Sequence, residues 1–189
     1  MGSSILFTDD DKHGNHSVNS IIDDSVMSSP LSKLNCKWCL WAHLPHDVSW
    51  TMDSYIKIMS FSSAEEAIVL FETIPPEMVM NCMLFIMRDG IRPMWEDSKN
   101  KKGGCFSYKV HNKSVHSVWK YLSYSLAGES LSKDGGVNSV INGITISPKK
   151  NFCIIKIWLS VCTYQNPDVI TENNYITNQG CLFKTHLQK

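Results

Sequence analysis

The residues with the most evident chemistry lie in one short stretch at 93–104, which reads PMWEDSKNKKGG. This stretch places Trp95 directly before Glu96 and ends in a lysine-rich loop with two glycines. A large aromatic ring can stack on a flat ligand, and an adjacent carboxylate can accept hydrogen bonds from the edge of that ligand. Trp50 is a second tryptophan in a polar loop. Two such rings can hold a planar group between them, although the alternative interpretation is that each covers the hydrophobic core.

The charge balance and the cysteines limit the class of protein. Eighteen Lys and Arg are matched by eighteen Asp and Glu, so an anionic ligand must be held by a local patch of charge and a general coat of nucleic acid is not expected. Seven cysteines without a dense framework are typical of free thiols in a reducing compartment. No apolar run approaches the ~20 residues of a membrane-spanning helix. We therefore expect a soluble, cytoplasmic protein.

Residue spacing gives no indication of an enzyme or a metal site. Cys36 and Cys39 have the spacing of half a zinc site, but the sequence offers no second pair of ligands. Glu65 and Glu66 fit a helix cap better than a catalytic or metal-binding carboxylate pair, and no His-x-His-x-His run occurs. We expect no catalysis, no cofactor and no bound metal.

The chain divides by composition into a tail and one domain. Residues 1–33 are rich in Ser, Asp and Asn without any period, so they cannot bury enough apolar surface to offset chain entropy. We predict a flexible tail there, which is either a spacer or a segment that binds a partner, and a single domain over 34–189. Within it, aromatic and β-branched runs predict six strands, at 36–43, 53–61, 81–89, 104–112, 142–147 and 152–162.

Three helical stretches lie between or after these strands. The first begins at a Ser cap with Glu three residues on and ends at Pro75-Pro76. The second repeats apolar residues from Val115 to Leu126 and has Gly128 as a cap. A weaker third is predicted over Asn173 to His186. Strands with intervening helices predict an α+β fold in which helices pack on one face of a sheet.

Several stretches, in order along the chain, resemble the eukaryotic translation initiation factor 4E family, whose members bind the 7-methylguanosine cap of messenger RNA. The most specific is DGIRPMWEDSKNKKGG, and the others are KWCLWAH at 37–43, VSW at 48–50, VWKYLSYSLAGES at 118–130 and IIKIWLS at 154–160. The resemblance implies a strongly curved antiparallel β-sheet with three helices on its convex face and the cap on its concave side. Because the chain ends soon after the predicted third helix, the family's last strand is expected to be absent.

The resemblance also implies the roles of individual residues in cap binding. Trp50 and Trp95 would lie on either side of the methylated guanine, where its positive charge adds a cation–π contribution of roughly 1–2 kcal/mol per ring. Glu96 would accept hydrogen bonds from the guanine edge, and Trp158 would pack against the methyl group. Lys149 and Lys150 would bind phosphates. Cys105 stands where the family has an arginine, so phosphate contact is expected to be weaker unless Lys156 or a loop lysine substitutes.

A protein partner is implied as well, on the helical face. The family carries a tryptophan on its first helix for a scaffold of the initiation factor 4G type, and Ile68 stands there in this chain. The second helix presents Lys120, Tyr121 and Tyr124 at this surface. We interpret the chain as a cap-binding factor of translation initiation with a non-standard partner, unless Ile68 packs into the core. The alternatives are a cap-binding repressor that competes with the standard factor, or a scaffold without ligand binding.

Overall fold

The structure is a computed structural model that describes residues 30–187, and seven antiparallel strands form its framework. Their order across the sheet is β2-β1-β3-β5-β6-β4-β7. The part of the predicted tail that precedes residue 30 lies outside the described residues. All six predicted strands are present. The strands are β1 Lys33–His43, β2 Tyr55–Ser63, β3 Met83–Arg88, β4 Gly104–His111, β5 Ile141–Pro148, β6 Phe152–Leu159 and β7 Leu182–Thr185.

Two longer helices and two short ones connect the strands. They are α1 Ala64–Thr73, α2 Pro76–Asn81, α3 Val115–Ala127 and α4 Gly135–Val140. The cap predicted for α1 is present, because the Ser63 hydroxyl accepts a hydrogen bond from the Glu66 amide and the Glu66 carboxylate accepts one from the Ser63 amide. The prolines end α1 as expected, and Pro76 then opens α2, where its missing N–H costs nothing.

Alternate residues of β1, β3, β4 and β6 pack into two different clusters. The larger cluster packs between the sheet and the helices and contains Trp38 and Leu40 of β1 together with Trp119 of α3. The smaller cluster lies on the opposite face and consists of Phe85, Met87, Ile91, Cys105 and Trp158. Trp41 packs against this second cluster, so Trp38 and Trp41 lie on opposite faces as the strand period predicts.

The predicted third helix is wrong. Residues 173–181 form a loop, and the residues after it pair with β4 as strand β7. The Asn173 side chain accepts hydrogen bonds from the amides of Tyr175 and Ile176, which is a local alternative to helical bonding, and Gly180 has a φ of +79°. The sheet therefore ends in strand β7, where the sequence predicts a helix and no strand after it.

The apolar residues that suggested this helix contribute to the core from the loop and strand. Ile176 is buried in the larger cluster, and Phe183 packs edge-on to Phe106 with ring centroids 5.0 Å apart. Among the described residues, no helix is long and apolar enough to cross a membrane.

Candidate ligand-binding site

A cavity of about 1020 Å³ lies over strands β4, β5, β6 and β7. Antiparallel pairing brings its lining side chains to one face of the sheet. Cys105 is opposite Trp158 on one side and Lys184 on the other, and Ser107 is opposite Lys156. These positions alternate with core residues, so the sheet face away from the helices forms the cavity floor.

Trp158 is the most deeply buried tryptophan of this cavity. Its side chain is 6% exposed and packs with the smaller cluster. The His186 ring lies against it at a centroid distance of 4.7 Å, and the indole N–H has no hydrogen-bond partner among the described residues. The sequence prediction that Trp158 belongs to a ligand site remains a prediction, but the residue does line the cavity.

Trp95 reaches the cavity from the loop between β3 and β4, which buried polar side chains hold in shape. Asn100 is completely buried and donates hydrogen bonds to the carbonyls of Arg92, at 3.1 Å, and Met94, at 2.9 Å. Its own oxygen accepts one from Asn142 of β5, at 2.9 Å. Trp95, which is 48% exposed, is therefore carried by a backbone that is fixed on both sides.

Asp97 secures the same loop. Its carboxylate accepts hydrogen bonds from the amides of Arg92 and Lys99 and from the Arg92 guanidinium. Burial alone would raise the pKa of Asp97, but these amide and guanidinium contacts together hold it below its usual range. Sequence reasoning missed Asp97 and Asn100, although the run Asp-Ser-Lys-Asn between a strand and two glycines is typical of side chains that bond to their own loop.

The two glycines that end the loop are required by close packing. A Cβ on Gly103 would meet the carbonyl oxygen of Leu159 at 1.8 Å. A Cβ on Gly104 would meet the carbonyl oxygen of Lys184 at 2.6 Å. Any larger residue would separate β4 from its neighbours β6 and β7, so the glycines position the cavity floor relative to Trp95.

Trp50 lies in the loop after β1 and does not line the cavity. Its ring stacks on His43 with centroids 4.2 Å apart and an interplanar angle of 5°. His43 is 3% exposed, and its Nε2 lies 2.7 Å from the Ser49 carbonyl oxygen. Because a carbonyl only accepts, Nε2 carries the proton. Trp50 itself is 55% exposed, so the indole face that does not contact His43 is open to solvent.

Glu96 is exposed, and it shares a neighbour with Trp50. After burial, the charge of Glu96 is the second cause that raises the pKa of Tyr55. The Tyr55 ring lies edge-on to His43 at 5.3 Å and to Trp50 at 6.5 Å. Tyr55 is therefore close both to the Trp50 loop and to the loop that carries Trp95 and Glu96. Sequence reasoning missed both His43 and Tyr55, because neither role follows from a local pattern.

Lysines dominate the charge of the cavity. None of the described residues that line it is Asp or Glu, and five of them are lysines, namely Lys101, Lys109, Lys149, Lys156 and Lys184. Lys149 is thus brought to the cavity, whereas Lys150, the other predicted phosphate ligand, lies in the exposed β5–β6 turn outside its lining. No local sequence pattern indicates that Lys109 and Lys184 belong to the site, because only strand register brings them together.

The cavity has positive charge next to Cys105, although no arginine stands at this position. The side chain is buried, and burial raises the pKa of its thiol. The charges of Lys156 and Lys184 act in the opposite direction on the pKa of the same thiol, and Lys184 pairs directly with Cys105 across β4 and β7. The charge expected from an arginine at this position is therefore present on two neighbouring strands.

The surface between α1 and α3 holds the residues that we assigned to a partner. Ile68 is 49% exposed, so the alternative that it packs into the core is wrong. Lys120 forms an ion pair with Glu72, and the Tyr124 hydroxyl donates a hydrogen bond to the same carboxylate at 2.7 Å. Burial and this bond raise the pKa of Tyr124 to about 12. Tyr121 stacks instead on Tyr175, with centroids 4.9 Å apart.

Comparisons with known proteins agree on one family. The model of the family "Eukaryotic initiation factor 4E" matches residues 33–179. The eukaryotic translation initiation factor 4E of Eremothecium gossypii is 30% identical over 151 residues, which cover 76% of this chain and 70% of that protein.

Two solved structures share the fold. That of Ascaris suum eIF4E-3 with the m7G cap has a TM-score of 0.64 and 22% identity, covering 74% of this chain and 78% of that one. That of C. elegans eIF4E-3 with the 4E-binding protein Mextli and a cap analog has a TM-score of 0.63 and 22% identity, covering 71% and 77%.

Proposed function

The chain belongs to the eukaryotic initiation factor 4E family, and from this premise we propose that it binds the 7-methylguanosine cap of messenger RNA in translation initiation. The observation that carries the proposal is the cavity beside the Trp95 loop, whose lining within residues 30–187 contains two tryptophans, five lysines and no carboxylate. A cap combines a flat cationic base with a chain of phosphates, and such a cavity offers a partner for each. The Ascaris suum relative with the same fold is in complex with the m7G cap.

In this proposal the base stacks between Trp50 and Trp95. The open face of Trp50 and the half-exposed ring of Trp95 are the two surfaces available for stacking. Methylation at N7 makes the guanine cationic, so each indole gains a cation–π contribution that an unmethylated guanine lacks. Glu96 accepts hydrogen bonds from the N1–H and N2–H₂ edge, and its charge also neutralises the ring. Trp158 packs against the methyl group.

The phosphates in this proposal are bound by lysines. Lys156 and Lys184 flank Cys105, and Lys149 lines the same cavity from the turn after β5. Three flexible ammonium groups provide charge without the bidentate geometry of an arginine, so we infer that they select for phosphate charge rather than for a fixed orientation. Lys150, in the adjoining turn, contributes at most through its long-range charge.

The helical face is proposed to receive a protein partner. Ile68 and Val69 expose neighbouring apolar side chains on α1, next to the Glu72, Lys120 and Tyr124 group on the same surface. The C. elegans relative is in complex with a 4E-binding protein. Because Ile68 replaces the aromatic residue that the family uses as an anchor, we propose that this chain prefers a different partner.

A titration of intrinsic tryptophan fluorescence tests cap binding directly. We expect the 7-methylated guanosine triphosphate to quench fluorescence at lower concentration than GTP. Trp95→Ala should lose about 1–3 kcal/mol of binding free energy, because one stacking face is removed. Trp95→Phe, which keeps a ring, and Val48→Ala, which changes an exposed residue near Trp50, serve as controls. Equal affinity for the two nucleotides, or release of a hydrolysis product, would contradict the proposal.

A further inference from the structure

The cavity extends beyond the residues that have a role in the proposed cap site. On β6 the lining residues are Phe152, Ile154, Lys156 and Trp158, and all four lie on the same face. At about 3.4 Å per residue, the six positions from Trp158 to Phe152 span roughly 20 Å. Two of the proposed phosphate ligands lie near Trp158, since Lys156 is two positions away and Lys184 pairs with Cys105, which lies directly opposite Trp158. At the Phe152 end, only Lys149 has a role in the proposed cap site, and Phe152 and Lys109 have none.

This far end carries its own group of side chains. Lys109 of β4 places its Nζ 4.5 Å from the centroid of the Phe152 ring. Lys149, at the start of the β5–β6 turn, lines the same end, and its amide donates a hydrogen bond to the Phe152 carbonyl at 2.8 Å. An aromatic ring with two lysines beside it is the combination that binds single-stranded nucleic acid, because the ring stacks on a base and the lysines bind the backbone.

We propose that Phe152 and Lys109, beside the proposed phosphate ligand Lys149, form a subsite for the RNA chain that follows the cap. This inference rests on the proposed cap binding, because the cap is what brings the RNA to the far end of the cavity. The first transcribed nucleotides leave the cap phosphates near Lys156 and continue along β6 and β4. A base then stacks on Phe152, while Lys109 turns from the ring to a phosphate.

Charge and continuity favour RNA as the occupant. The lysines extend from Lys184 and Lys156 at one end to Lys109 at the other, and the described lining contains no carboxylate that would repel a phosphate chain. An acidic peptide would match the charge, but nothing would attach it to the cap end, whereas RNA is covalently joined to the cap. The whole chain has no net charge, so this local row of lysines is the feature that can attract the RNA backbone.

The test compares a cap nucleotide with a capped RNA of several nucleotides. Fluorescence titrations are run with 7-methylated GTP, with the capped oligoribonucleotide, and with the same oligoribonucleotide lacking the N7 methyl group. We expect the wild type to bind the capped oligoribonucleotide about tenfold more tightly than the cap nucleotide. Phe152→Ala and Lys109→Gln should lose this advantage while their affinity for the cap nucleotide stays unchanged, which also shows that they fold.

Lys113→Gln is the matched control, because Lys113 is an exposed lysine close to Lys109 in the chain and does not line the cavity. The salt dependence provides a second readout, since loss of one phosphate contact should lower the slope for the oligoribonucleotide by roughly 0.7. The inference is overturned if the capped oligoribonucleotide binds no better than the cap nucleotide. It is also overturned if its advantage survives in both variants. Failure of cap binding itself would appear separately, as a lack of preference for the methylated cap nucleotide.

Discussion

His43 and Trp50 lie face to face, with ring centroids 4.2 Å apart and planes 5° from parallel. His43 is buried in β1 and bonded to the Ser49 carbonyl, so it is a fixed base on which the exposed indole rests. A loop tryptophan without such support would have to be ordered by the ligand, at a cost in side-chain entropy. The stack therefore orients Trp50 before any ligand arrives.

Removal of this support should weaken ligand binding. We expect His43→Ala to reduce the affinity for 7-methylated GTP by about 0.5–1.5 kcal/mol, the contribution of an aromatic pair. His43→Phe, which retains a flat ring, should keep most of the affinity. Fluorescence titration measures both variants, and thermal unfolding checks that the fold is retained. An unchanged affinity in a folded His43→Ala variant would mean that Trp50 needs no support.

The two lysines of the β5–β6 turn should differ in their effect. Lys149 lines the cavity and Lys150 does not, so Lys149→Ala should weaken binding of 7-methylated GTP by about 0.2–1 kcal/mol, while Lys150→Ala has a smaller effect. Neither variant should alter the affinity for the 7-methylated nucleoside, which has no phosphates. Titrations of both ligands at low and high salt measure the difference. Equal losses for nucleoside and triphosphate would show that neither lysine contacts phosphate.

His186 should make stability depend on pH. Its Nδ1 lies 2.7 Å from the Asn100 carbonyl oxygen and so donates to it, while Nε2 is buried without a partner among the described residues. Burial lowers the pKa of His186, so the unfolded chain binds its proton more readily than the folded one. The free energy of unfolding should therefore decrease as the pH falls below about 6.5, the ordinary pKa of histidine.

Urea denaturation at a series of pH values measures this dependence. His186→Gln has no imidazole to titrate, so its unfolding free energy should decline less than that of the wild type between neutral pH and the pH at which carboxylates titrate. Parallel declines in the two proteins would assign the loss to other groups.

The surface between α1 and α3 should bind a protein partner through its exposed aliphatic residues. We expect a standard helical Tyr-x-x-x-x-Leu peptide to bind weakly, because Ile68 lacks the area of an aromatic anchor. Ile68→Asp should abolish what binding remains and leave the affinity for 7-methylated GTP unchanged, while Ser117→Asp, an exposed change on α3, should alter neither. Calorimetry with the peptide measures this. Tight binding that Ile68→Asp removes would mean that the family's usual partner mode persists in this chain.

Local pattern in the sequence determined most of the elements. The alternating runs predicted all six of the longer strands, and the Ser63–Glu66 cap and the apolar stripe from Val115 predicted α1 and α3. These predictions succeed because strand alternation and helix capping depend on residues within a few positions of one another. The motif at 93–104 likewise identified the loop that carries Trp95 and Glu96.

Only the tertiary structure decided which side chains share the cavity and that residues 182–185 form a strand. The stretch at 173–186 has apolar residues at helical spacing, but pairing with β4 outweighs a weak helical preference that Gly180 interrupts. Lys109, Lys156 and Lys184 lie far apart in the chain and meet because three strands pair in one register. The support of Trp50 by His43 depends on how a loop folds back on its strand. Strand register and the packing of a loop against its strand are set by contacts that a local sequence pattern does not reveal.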